Sequence, residues 1–264
     1  MLSELIRQEV IKLFTRRYVY LLLALPPVLL AARLLAMHLS PPETTMDVPT
    51  SLQFWAEAMM WGLRLSGYVL LVLGAMSFSQ EFSLGTVKAV LTLPVSRSGW
   101  YAAKGATLLG VAWLLLAVNA LLAWGLTWLL VGWQGVTREG LVLLSGGQAF
   151  AQAALALGLT ALLLAPLCAF ALWLGLYFSS SGAAVGVAVL AGTVGELAAG
   201  LFGAGRYLFL SQLYRPLEVV ERMGRGLSGR WEQVWLWGLA VGVVSLLVFG
   251  LWGWRRFERL DIHT

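Results

Sequence analysis

Charge is what this sequence has least of. Only 12% of its 264 residues are charged, whereas a soluble domain carries roughly 25%. With 59% hydrophobic residues and a mean hydropathy of +0.81, that scarcity excludes a soluble globule. Cysteine is represented by Cys168 alone, within an apolar run, so there is no disulfide framework and no CxxC or Cys/His metal pattern. It reads as a packing residue. The two histidines, His38 in a loop and His263 beside the last residue, leave the apolar runs without a base to activate a nucleophile, which argues against an intramembrane hydrolase. No GxxxxGK[ST] run occurs, so these residues offer no P-loop for ATP. Acids inside apolar runs reduce to Glu57 and Glu196, too few for the proton path of a typical carrier.

Long apolar runs are what the sequence does have. A spanning helix takes about 20 mainly apolar residues, so the chain holds about six spans with short loops and no room for a separate soluble domain. The expectation is an all-α integral membrane protein forming a single transmembrane domain over 1–264. Leu2, Ile6, Val10, Leu13 and Phe14 recur at helical spacing, making 1–17 an amphipathic helix lying on the inner surface and retained rather than cleaved. Spans are expected at 18–37, kinked at Pro26 and Pro27, then at 53–78, 100–131, 148–178 with a bend near Pro166, 182–201 and 231–254. Residues 79–104 form the one substantial inner loop. Gly195, Gly200, Gly203 and Gly205 predict a broken or re-entrant piece after the fifth span, with 202–230 outside and 207–227 interfacial.

The formal net charge of +5 is carried by residues beside the apolar runs, not by a nucleic-acid face. Lys12, Lys88, Lys104, Arg16, Arg17, Arg97, Arg255 and Arg256 flag one side as cytoplasmic and place both termini there. Arg206, Arg215, Arg222, Arg225 and Arg230 conflict with that topology, since they fall in the outer segment. Tryptophans near span ends, including Trp55, Trp61, Trp100, Trp133, Trp231, Trp235 and Trp254, are expected as interfacial anchors.

The inner loop carries the most information. From Gln80 to Ser98, Leu84, Val87, Val90 and Leu91 share one helical face and Pro94 ends the helix. An apolar stripe on such a loop seeks lipid headgroups or a partner groove. These residues resemble the permease subunits of ABC-2-type ABC transporters: Glu81, then Gly85-Thr86, then Leu91-Thr92-Leu93-Pro94-Val95-Ser96-Arg97, then Lys104 opening the next span. The amphipathic start, the six-span layout and the closing run Arg256 to Ile262 support the resemblance. It implies a coupling helix between spans two and three, with Glu81, Gly85, Thr86, Val87, Val90, Leu91, Pro94 and Arg97 transmitting the work of a separate nucleotide-binding subunit. That partner would hold ATP and Mg, and this chain would bind no cofactor or metal. A second permease copy is implied too, most simply a homodimer, in a prokaryotic plasma membrane and with no nucleic-acid partner. The substrate stays open, because members similar in this motif include sodium and antibiotic exporters, gliding-motility permeases and nitrous-oxide-reductase maturation permeases.

Glu57 and Arg64 lie seven apart, two turns on one helical face, and could line a polar path. Glu196, among Gly195, Ala198, Ala199 and Gly200, is expected at the outer end of that path beside a dimer axis. There it would be a gate pair with an arginine of 206–230 or a contact for a cationic substrate. Asn119, Gln148 and Gln152 complete the candidate path set, although such groups more commonly make interhelical hydrogen bonds. Two other classes stay open: a stand-alone secondary transporter or channel, and a non-transporting scaffold that senses a ligand through 206–230.

Overall fold

The computed structural model describes residues 2–39, 49–86, 96–138, 141–201, 205 and 207–259. Among these, six helices are long and apolar enough to cross a membrane: α2 (Arg17–Leu39), α3 (Ser51–Ser83), α4 (Arg97–Leu130), α5 (Gly146–Gly175), α6 (Ser181–Leu201, apolar to Gly200) and α9 (Trp231–Glu258). α1 (Leu2–Phe14) precedes them, and α7 (Phe209–Gln212) and α8 (Arg215–Gly224) lie between α6 and α9. The backbone stays helical through Pro26-Pro27 and through Pro166. α9 opens with a π-helical turn, Val234–Gly238, that the sequence pattern did not announce.

Local chemistry explains where these helices start. Thr50 accepts the Gln53 N–H, Ser96 accepts the Gly99 N–H, and Ser145 forms a reciprocal capping box with Gln148. Each supplies a side-chain oxygen to an otherwise unpaired first-turn donor. α3 ends at Gly85, whose φ of 68° is the left-handed turn that stops a helix and that glycine alone adopts without strain.

The architecture is not purely helical. Between α4 and α5, β1 (Val136–Arg138) and β2 (Leu141–Leu144) form an antiparallel hairpin, so the all-α expectation is corrected. The strands are too short for periodicity to separate them from a loop. This hairpin marks one end of the bundle; α1, the end of α3 and the start of α4 mark the other.

α3 is the central element, packed against α2, α4, α5, α6 and α8. Its approach to α5 is close because small residues meet there: a side chain at Gly175 would stand 2.6 Å from the Ala75 carbonyl oxygen. Cys168 is buried on α5, as a packing residue should be. α8 was expected to lie at the interface, but Leu217 and Val220 are fully buried and the helix packs on α3 and α5. Its strongly two-sided pattern turns the apolar face onto the bundle. Trp55 and Trp100 are likewise buried, at 0% and 2% exposure, and belong to the core rather than to an interfacial belt. Trp55 stacks on Trp124 at 5.5 Å.

Candidate functional site

Two polar constellations stand out from the apolar bundle, one at each half of α3. At the α1 end, Glu81 on the last turns of α3 and Lys104 near the start of α4 are both buried and 2.9 Å apart. The Lys104 ammonium also donates to Glu9 Oε2 on α1 at 2.9 Å and to the Ser77 carbonyl at 3.1 Å. It lies over the rings of Phe78 and Trp100 at 5.2 and 5.0 Å. Trp100 donates its indole N–H to the other Glu9 oxygen at 3.1 Å, and Lys12 on α1 pairs with Glu81. Two acids and two lysines thus alternate across three helices. A buried charge is tolerable only when so paired and hydrogen-bonded.

This network corrects the reading of Lys104 as a topology flag: its side chain is 1% exposed and faces acids, not water. Burial pushes the Glu9 carboxyl up, but the Lys104 charge and its hydrogen bond outweigh this and leave the group below its ordinary value. Burial and the Lys104 charge push the Lys12 amine down to about 8, against the pull of Glu9. A cavity of about 40 Å3 opens among these groups, lined by their charges and by apolar side chains such as Leu13, Leu73 and Leu108, and has room for a water.

The expected coupling residues border this network. Thr86 Oγ1 donates to the Glu81 carbonyl at 3.4 Å, and Gly85 makes the turn that leaves α3. Arg97, at the start of α4, donates to the Glu258 carbonyl in the last turn of α9 at 2.9 Å. Val87, Val90, Leu91 and Pro94 lie outside the described residues. Where the end of α3 meets the start of α4, Phe78, Trp100, Tyr101 and Phe257 form one aromatic cluster, with Phe78 and Phe257 at 5.2 Å.

The second constellation lies on the open side of α3. Glu57, Trp61, Arg64 and Tyr68 follow i, i+4, i+7 and i+11, so they form a single stripe, and all four are at least partly exposed on a helix whose other sides are covered. Arg64 stands roughly 20 Å along the helix from Ser51 at 1.5 Å per residue. Its Nε lies 3.5 Å from Glu196 on α6, and the Tyr214 hydroxyl, from the turn between α7 and α8, donates to the same carboxylate at 3.2 Å. Arg64 lies over both the Trp61 and the Tyr214 rings, at 5.6 and 5.5 Å. Arg33 on α2 lies over Trp61 at 5.7 Å. Tyr68 and Thr193 approach to 3.4 Å.

Glu196 is therefore paired, among the described residues with Arg64 on α3 and with no described arginine of 207–230. Two arginines of that segment pair with other acids: Arg225 pairs with Glu221 and lies 3.7 Å from Glu57, and Arg215 lies 3.9 Å from Glu218. These local pairings offset much of the charge that conflicted with the topology. The remaining candidate path residues are not brought to this face. Asn119 is buried and donates to Ser66 across α3 and α4 at 2.9 Å, Gln148 completes the cap of α5, and Gln152 accepts the Trp231 indole N–H at 2.8 Å. Arg33, Trp61 and Tyr214 were not among the candidates. Trp61 was within reach of the helical spacing, whereas the other two come from different elements.

A family model for ABC-2 family transporter proteins matches residues 5–195, which takes in the first constellation and the α2 and α3 members of the second, but not Glu196 or Tyr214, and runs from within α1 to most of α6. The chain belongs to the ABC-2 transporter family. No curated protein matches it. As a permease of this family it is a multi-pass membrane transport subunit, and ABC-2 permeases in general associate with ABC ATPase subunits.

Proposed function

We propose that this permease is the membrane half of an ATP-driven exporter in a prokaryotic plasma membrane, working as a homodimer with separate ATPase subunits that bind the ATP and Mg. The segment between α3 and α4 is the docking site for the ATPase, on the cytoplasmic side together with both termini. The observation that supports this reading best is the Glu9–Lys104–Glu81–Lys12 network. It ties the amphipathic α1 to the two helix ends that flank the docking segment. A push on that segment is therefore delivered to α1, α3 and α4 together, because separating any one of them would strip a buried charge of its partner.

The path runs along the open side of α3, past Glu57 and the Arg64–Glu196 pair. α7 and α8 form the re-entrant piece of the outer half. Tyr214 reaches the depth of Arg64, and Gly224 at the far end of α8 returns to Gln53, where an added side chain would stand 2.6 Å from the Gln53 backbone nitrogen.

Charge reversal at Arg97, or Gly85→Pro, tests the docking role. In proteoliposomes holding permease and ATPase, either change is expected to abolish transport-coupled ATP hydrolysis while the protein still inserts. Coupling at the wild-type level in both variants contradicts the assignment.

A further inference from the structure

On the open side of α3, the described arginines outnumber the carboxylates within ion-pair distance of them. Arg33 and Arg64 converge on one indole, Trp61. Among the described residues a single carboxylate, Glu196, meets either of them, and it is shared between Arg64 and the Tyr214 hydroxyl. Arg33 meets only the Trp61 ring among the described residues. The next acid toward the hairpin end, Glu57, is already engaged by Gln53 at 3.1 Å and by Arg225 at 3.7 Å. Among the described residues, Arg33 in the middle of the face thus has no carboxylate within ion-pair distance.

Two further facts bear on what answers that surplus. The Arg64 side chain is 46% exposed in the middle of a spanning helix, where an ionised group facing hydrocarbon is strongly disfavoured. A second copy meeting this face through a twofold axis would bring the same surplus and no spare acid. The neighbouring surface is apolar: Val28 and Leu29 on α2 and Val194 and Leu197 on α6 are exposed. A guanidinium pair framed by aromatic rings and bordered by aliphatic side chains suits a molecule with an acidic head and an apolar body. A cation would have to displace Arg64 from Glu196 to gain a partner.

We propose that Arg33, Trp61 and Arg64 bind the acidic head of an amphipathic anion, and that this is the class of substrate the permease moves. The proposal rests on the open side of α3 being the path. Its test needs no ATPase, so anion binding can fail while the ATPase partnership stands, and the reverse.

The probe is dodecyl phosphate, added to the full chain in a non-ionic detergent, with binding read from the shift of its thermal unfolding midpoint. Dodecyltrimethylammonium, with the same tail and the opposite charge, is the control. Saturable binding of the phosphate is expected, weakened about tenfold or more by Arg33→Gln, with no comparable response to the ammonium. Arg64→Gln leaves Glu196 unpaired and can unfold the chain for that reason alone. The double variant Arg64→Gln/Glu196→Gln removes both charges and is expected to lose phosphate binding while staying folded. Phosphatidylglycerol offers the same head chemistry on a lipid. If its retention in native mass spectra falls with Arg33→Gln the ligand is a phospholipid, and if only dodecyl phosphate responds it is a free amphiphile; both support the site. Equal binding of the cationic probe, or phosphate binding unchanged in Arg33→Gln and in the double variant, overturns it.

Discussion

Lys104 and Glu81 face each other at 2.9 Å, almost wholly buried, from the two helices that flank the segment between α3 and α4. Both side chains are withdrawn from bulk solvent, so the pair holds those two helix ends in register for as long as both charges are present.

Removing one member should therefore be costly. Lys104→Met leaves Glu9 and Glu81 without their shared cation, and breaking a buried pair in this way costs about 3–5 kcal/mol. Chemical unfolding in detergent is expected to show a loss of that size, and to show most of it restored by Glu9→Gln and Glu81→Gln added together, because no unpaired buried acid then remains. Equal losses in the single and triple variants would mean that the charges do not act as a unit.

The same network sets an unusual titration. With the Lys12 amine at about 8, pushed down by burial and by Lys104, the Lys12–Glu81 ion pair is present at neutral pH and is lost as pH rises through 8. Between 8 and the ordinary lysine value the unfolded chain holds a proton that the folded chain has released, so this group by itself favours the folded state as pH rises through that window. The sequence contains three lysines, and NMR of dimethylated protein should resolve one resonance with a midpoint near 8 that moves upward when Lys104 is replaced by Met. A midpoint at the ordinary lysine value would contradict the packing of α1.

Much of this was legible in the sequence, and for identifiable reasons. Six long apolar runs can be little else than spans, and the seven-residue spacing of Glu57 and Arg64 puts them on one stripe by helix geometry alone. Lys104 was misread because a lysine near the end of an apolar run looks the same whether it meets water or a buried acid, and its partner Glu9 lies 95 positions away. Arg33 and Tyr214 reach the path face from other elements, so no local pattern could announce them. The hairpin escaped because three- and four-residue strands carry no periodicity.

Gly85 offers a purely local test. Its φ of 68° puts it in the left-handed region, and an added Cβ would touch nothing within 4 Å, so Gly85→Ala acts through backbone strain alone. A loss of roughly 1–2 kcal/mol is expected, with α3 shortened at that end in hydrogen exchange. A neutral result would mean that the turn is not held in the native protein.

Glu196→Gln keeps size and some hydrogen bonding but removes the charge that Arg64 and Tyr214 share. Hydrogen bonds to charged groups are worth about 1.5–3 kcal/mol, so substrate flux in proteoliposomes should fall about tenfold or more while dimer yield on size exclusion stays unchanged. Normal flux together with Glu196 in contact with lipid headgroups would remove this residue from the path.

Co-expression with ABC ATPase subunits from the same genome, followed by purification through a tag on this chain alone, tests the central claim most directly. The account predicts a stable complex of permease and ATPase whose ATP hydrolysis responds to reconstitution in membranes. Failure to form any complex, with substrate flux driven by an ion gradient in liposomes holding this chain alone, would contradict it.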